Sequence, residues 1–330
     1  MDASFSPGLY YKHSGKFFMG GLLVAVFIGL LVGLPCAWLY AWLIHWNPLI
    51  YVDVLASFGF GGIIGAAIES SLESHKCRNV PVAGLAAFLV VVISYYVSWA
   101  VWLRALTHFP TMAFLLNPVA MWKTILAVNE VGAWSLRGDV VKGIPLWIAW
   151  GLEAACIIGI AVYTAVHAMQ QASYCEGCDR FAKLLKGVCF AGAGTAPPIQ
   201  EKAAFKSYRQ GLKQQATELK QHLETKDFSY VEQLGAVQPG AIAWYKFDLV
   251  RCPQCNMTHT LRVTQLQNKI EGKKVKSETT ESEVLRQLLL SSTEADTLRK
   301  LGEKLVPTLP KLVTEQAAEA KKAAAAAGAK

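Results

Sequence analysis

The residues best suited to chemistry are two pairs of cysteines, Cys175-Glu-Gly-Cys178 and Cys252-Pro-Gln-Cys255. Two residues between a pair of sulfurs make a tight turn that aims both thiolates at one point. Two such turns can complete a tetrahedral four-sulfur shell, as in structural zinc sites. Gly177 and Asn256 tolerate the positive φ that such turns often demand, and Pro253 presets the second turn. The expectation is one structural zinc ion held by Cys175, Cys178, Cys252 and Cys255. Two other readings stay open, a redox-active dithiol and two unrelated reduced pairs. A redox pair works best at a helix N-terminus, whereas Cys175 follows the C-terminal end of a long apolar run, the wrong pole of a helix dipole. His259 could replace one sulfur, and Cys189 is a further spare. A four-sulfur shell leaves no coordination position for substrate, so the metal argues for scaffolding rather than catalysis.

Positioning these knuckles requires a small α+β domain. Residues 243–250 and 258–266 alternate loosely in polarity and read as strands flanking Cys252 and Cys255. The two knuckles with these flanks resemble a zinc ribbon, and the resemblance extends no further along the chain. It departs in spacing: 73 residues separate Cys178 from Cys252, against about 15–20 in a compact ribbon. The insertion must hold an amphipathic helix over 199–224, where Phe205, Tyr208, Leu212, Ala216, Leu219 and Leu223 recur at three and four. Its other side carries Lys202, Lys206, Arg209, Lys213 and Lys220, a stripe that could meet anionic lipid headgroups or simply face water. No aromatic-interleaved basic motif supports nucleic acid. Residues 191–198 read as a linker, Glu271-Gly272 as a hairpin turn into a strand near Val275, and Ser292 as the cap of a helix over 293–304. The Ala/Lys-rich tail, 313–330, reads as a frayed helix or disorder.

The first half of the chain has another solvent. Residues 1–170 hold eight Lys/Arg and seven Asp/Glu, against 24 and 17 in 171–330. The run 17–46 has no Lys, Arg, Asp or Glu and exceeds the ~20 residues that cross a bilayer; a signal peptide would have a far shorter apolar core. Further runs cover 49–68, 81–103 and 145–169. The predicted fold is an α-helical integral membrane bundle of about four transmembrane helices (1–170) followed by a small zinc-ribbon-like domain (171–312). An interfacial segment near 110–130 is expected to turn Met121, Trp122, Ile125 and Val128 to its greasy side. Small residues recur every four positions in three runs: Gly21 to Ala41, Ser57-Gly61-Gly65, and Gly151-Ala155-Gly159. Such spacing allows close packing within the bundle or at a homo-oligomer seam. Lys12, Lys16, Lys76, Arg78, Arg180, Lys183 and Lys186 favour both termini in the cytoplasm, while Arg104, Lys123, Arg137 and Lys142 dissent.

Glu153 is the one carboxylate deep in an otherwise apolar run, and its depth points to Ser94, Tyr95, Tyr96 or Ser98 as hydrogen-bond partner. Neither a phosphate loop, a His-Glu-x-x-His nor a Gly-x-Ser-x-Gly elbow occurs. The first functional expectation is a membrane-anchored zinc-ribbon-like scaffold binding a partner at the cytoplasmic membrane face. The alternative is a subunit of a small oligomeric transporter or channel that uses Glu153, with Asp53 and the glycine-rich second run in support.

Overall fold

A computed structural model describes residues 8–47, 49–136, 139–194, 202–238, 241–255, 259–271 and 274–305. The chain divides into two units, 14–170 and the remainder.

The first unit is built on helices α1 (Met19–Trp46), α2 (Ile50–Ser74) and α3 (Val80–Thr107), then short α4 (Thr111–Leu116), α5 (Pro118–Val131), a two-stranded hairpin of β1 (Trp134–Leu136) and β2 (Asp139–Val141), and α6 (Ile144–Gln171). Four of these helices are long and apolar enough to cross a membrane. Where polar caps exist they follow the sequence. Asn79 accepts from the Val82 amide at 3.1 Å beside Pro81, and Asn117 accepts from Ala120 at 3.0 Å beside Pro118. Outward positions are apolar: Leu23, Phe27 and Leu31 on α1, Ile148 and Leu152 on α6. A helix apolar on its outer face has lipid as its natural solvent.

Small residues set the close approaches, as expected for two of the three stripes. On α1, Gly21, Ala25, Gly29, Gly33, Ala37 and Ala41 are all buried. Gly29 meets Ile68 of α2 and Val90 of α3, and Gly33 meets Ser94 and Ile64. On α2, Gly61 lies under the Ile157 carbonyl, and a Cβ at Gly65 would stand 2.6 Å from the Ala161 carbonyl. The third stripe differs. Gly151 and Gly159 face open space and Ala155 is exposed, because α6 buries the adjacent face of Ile157, Ala161 and Ala165.

The interfacial segment holds two helices rather than one, α4 and α5, with the β1–β2 hairpin beyond them. Met121 and Ile125 turn inward onto Leu103, Leu146 and Trp150, with Val128 packed alongside. Trp122 is 53% exposed, its ring 5.5 Å from that of Trp147.

The second unit comprises β3 (Tyr174–Cys175), β4 (Arg180–Phe181), β5 (Lys183–Gly192), α7 (Lys202–Glu224), α8 (Ser229–Leu234), β6 (Ala243–Arg251), β7 (His259–Glu271), β8 (Lys274–Leu290) and α9 (Ser292–Leu305). Strands β5-β6-β7-β8 form one antiparallel sheet in that order. Period-two alternation puts Tyr245, Phe247, Leu249, Leu261 and Val263 on one face, where they pack with Leu212, Leu219 and Leu223 of α7, Val231 of α8, and Ala295, Leu298 and Leu305 of α9. Gly302 of α9 lies directly on the Val188 carbonyl. Residues 191–192, read from sequence as linker, end β5; 195–201 and the tail lie outside the described residues. The cap of α9 is Ser291, not Ser292. The Ser291 hydroxyl accepts from the Glu294 amide at 3.3 Å and the Glu294 carboxylate accepts from the Ser291 amide at 2.7 Å, a reciprocal capping box. The segment before Ser14 also belongs to this unit: Tyr11 N–H donates to the Gln287 carbonyl at 2.9 Å and Leu289 N–H to the Leu9 carbonyl at 3.1 Å.

Two glycine replacements should move stability in opposite directions. Gly302→Ala adds a Cβ that α9 can accommodate only by lifting off β5, and should cost the unit about 1–2 kcal/mol despite better helix propensity. Gly211→Ala, mid-α7 with nothing within 4 Å of the new Cβ, should instead stabilise it by about 0.5–1 kcal/mol. Native-state hydrogen exchange of β5 and β6 amides reads both.

Candidate metal centre

Each knuckle sits at a strand junction. Cys175 ends β3 and Cys178 lies in the turn into β4; Cys252 follows β6 and Cys255 closes the next turn. Antiparallel pairing of β5 with β6 brings them together. Lys183 at the start of β5 pairs with Arg251 at the end of β6, so each strand carries its knuckle at the same end of the sheet. The chain between Cys178 and Cys252 runs out along β5, through α7 and α8, and back along β6. A long insertion therefore leaves the sulfurs adjacent.

All four Sγ atoms lie within 4.8 Å of one another, with Cys175 and Cys255 at 3.6 Å. Metal–sulfur bonds of about 2.3 Å in a tetrahedron place sulfurs about 3.8 Å apart, so the cluster matches a four-thiolate shell in scale. Cys175 and Cys252 are buried; Cys178 and Cys255 are half-buried. The crowding acts on the acid equilibria: hydrogen bonding to Cys255, then burial, then Cys252 and Cys175, push the Cys178 thiol up to about 12. Four thiolates in so small a volume repel one another and require a cation. The four cysteines could hold a metal ion on both geometric and chemical grounds.

Surrounding contacts fix the first knuckle. Ser173, fully buried, shares a 2.9 Å hydrogen bond with the Thr260 hydroxyl and accepts from the Ala182 amide at 2.7 Å. The Tyr174 amide donates to the Tyr11 hydroxyl at 3.0 Å, and the Gln287 side chain donates to the Ala172 carbonyl at 3.1 Å. The left-handed residue is Asp179 (φ 50), not Gly177, and its carboxylate accepts from the Tyr174 hydroxyl. Asn256 lies outside the described residues. His259 is not among the converging ligand atoms. It is 4% exposed, its Nδ1 has no partner among the described residues, and burial followed by Arg251 lowers its pKa. Cys189 is buried in the sheet core, where burial pushes its thiol up to about 12.

Glu153 finds its partner on α1 rather than α3. The Tyr40 hydroxyl lies 2.6 Å from Glu153 Oε1 and 2.9 Å from Ser57 Oγ, which in turn donates to the Asp53 carbonyl at 2.9 Å. The expected α3 partners are otherwise engaged or apart: Ser98 donates to the Tyr95 carbonyl and Tyr96 to the Phe114 carbonyl. Depth along α6 fixes a level in the bundle but not a direction within it. The Tyr40 hydroxyl donates to Glu153 and also contacts Ser57, so one side chain of α1 links α6 to α2. Among the described residues nothing lies within 4 Å of a Cβ at Gly151 or Gly159, so their stripe stays open beside the buried face of α6.

Comparison of the chain with protein families, with characterised proteins and with solved structures returns no match.

Two outcomes follow. Chelation of the metal, or Cys252→Ser, should abolish stoichiometric metal binding and loosen β5, β6 and the segment 9–11 in hydrogen exchange while the four long helices stay protected. Tyr40→Phe removes two hydrogen bonds and should cost about 1 kcal/mol in detergent unfolding, whereas Glu153→Gln, which keeps an acceptor oxygen for the Tyr40 hydroxyl, should cost less.

Proposed function

We propose that this chain is a multi-pass membrane protein that displays a zinc-ribbon-like module at the cytoplasmic face and binds a protein partner there as a scaffold. The observation that carries this reading is the convergence of Cys175, Cys178, Cys252 and Cys255 within 4.8 Å. Zinc suits the donor set, since four soft thiolates in a closed tetrahedron favour it and leave no site for a reacting molecule. Such a metal rigidifies a surface rather than performing a reaction on it. Both segments that flank the helical unit, 8–13 and 171–305, fold together in one unit, which an even number of spans allows. Lys12, Lys16, Lys76 and Arg78 on that side support a cytoplasmic assignment.

A second reading, a subunit of a small oligomeric transporter or channel, is favoured by one observation, the Glu153–Tyr40–Ser57 chain inside the bundle. It requires Glu153 to ionise in use. A variant Glu153→Gln that folds and keeps the parent's cellular function removes its support.

Topology and metal are checked together. A membrane-impermeant thiol reagent applied to intact cells should modify cysteine introduced at Asp139 and spare cysteine introduced at Lys300, as assigned by peptide mapping; the reverse pattern overturns the cytoplasmic placement. The full chain purified without chelator should hold about one zinc per chain. A partner retained by this protein and released by Cys252→Ser would support the scaffold; zinc-free protein with four freely titrating thiols ends it.

A further inference from the structure

Helix α7 presents a face that the sheet does not use. Leu212, Leu219 and Leu223 are buried against the sheet. At 100° per residue, Lys206, Arg209, Lys213 and Lys220 fall within about 60° of one another, roughly a quarter-turn from those leucines. All four are exposed. The line from Lys206 to Lys220 is about 21 Å long at 1.5 Å per residue. Among the described residues, Lys206, Arg209 and Lys213 have no acidic partner, and Lys220 has only Glu224 at 3.9 Å. Glu218 lies on another side of the helix, about 150° round from the middle of the stripe, where it accepts from Gln214 at 2.9 Å and Tyr230 at 3.1 Å. Sorting of charge onto one side of a helix leaves a cationic strip suited to a planar array of anions.

Connectivity indicates which array. The second unit joins the long helices at two places, through residues 14–18 before α1 and 172–173 after α6. Five extended residues span at most about 18 Å, so on the membrane reading chain length keeps the unit within reach of headgroups at high effective concentration. Phe205 and Tyr208, the aromatic side chains nearest the stripe, lie half-buried on its sheet-facing side rather than open to stack on bases.

We propose that the cationic stripe of α7 seats on anionic phospholipid headgroups of the bilayer that holds the four long helices, an inference that rests on the membrane reading above. Attraction falls off within a Debye length and is weakened by salt. Seating would fix which face of the module is turned away from the membrane and open to a partner.

The test uses the full chain in nanodiscs, one set of phosphatidylcholine alone and one with about 30% phosphatidylglycerol, a typical anionic load. An amine-reactive acetylating reagent is applied and modification of each lysine is read by mass spectrometry, with exposed Lys300 on α9 as internal reference. Brominated acyl chains in the same discs report by tryptophan quenching whether the helices lie in lipid. In anionic discs Lys206, Lys213 and Lys220 should react about fivefold more slowly relative to Lys300. About 1 M salt should erase the difference. Arg209→Glu with Lys213→Glu should release Lys206 and Lys220 while zinc content stays unchanged. Equal rates in both discs with the tryptophans quenched overturn the stripe alone. Unquenched tryptophans overturn the membrane reading and the stripe with it. Protection that is the same in neutral discs and removed by nuclease assigns the stripe to nucleic acid instead.

Discussion

The antiparallel pairing of β5 with β6 sets the geometry on which the second unit depends. It pairs Lys183 with Arg251, and so brings Cys252, the next residue, to the same end of the sheet as the Cys175–Cys178 knuckle that precedes β4. The same two strands hold the Cys189–Phe247 and Ala191–Tyr245 pairs that lie beneath α7, α8 and α9. Core and metal cluster are therefore two ends of one ladder. An ion held by the four cysteines would restrain at one end the register that apolar burial restrains at the other, and a one-residue slip would turn the core face outward and part the sulfurs. Gly187 relieves the one irregularity: at φ 62 it forms the bulge between Leu185 and Cys189, and its amide donates to the buried Asp248 carboxylate at 2.6 Å.

In the helical unit the governing constraint is backbone proximity. If these four helices lie in lipid, they gain nothing from burying apolar side chains against one another that the lipid would not already supply. Contact must come from shape, and Gly29, Gly33, Gly61 and Gly65 let α1, α2, α3 and α6 approach to where a Cβ would collide. The polar chain through Tyr40 then adds direction to a packing that small residues alone leave free to rotate.

Much of this was legible in the sequence where one period dominates. The four long helices come from uninterrupted apolar runs, and β6, β7 and α7 from alternation and the three-four repeat. What escaped notice lacked such a signal. Strand β5 passes through Gly187 and ends in Ala191-Gly192, which composition reads as linker, so the strand that explains the long cysteine spacing was hidden. The segment 9–11 pairs with residues far along the chain, and no local pattern announces a non-local strand. Among the candidate site residues, the four cysteines are joined by their own spacing and chemistry. The partner of Glu153 required the azimuth of α6, which depends on tertiary packing. Asp179 took the left-handed position in preference to Gly177 because its carboxylate and the Tyr174 hydroxyl bond across the turn.

The hydrogen bonds between residues 9–11 and β8 have a consequence in time. Tyr11 meets Gln287 only after about 280 further residues have left the ribosome, roughly 14 to 55 s at about 5–20 residues per second. All four long helices are synthesised within that interval. Insertion of these helices into a bilayer would then proceed with the edge of the sheet still open, its leading segment loose, and the second pair of thiols not yet made. Closure of that seam is thus a late event in biogenesis, and the state preceding it presents an unpaired strand edge.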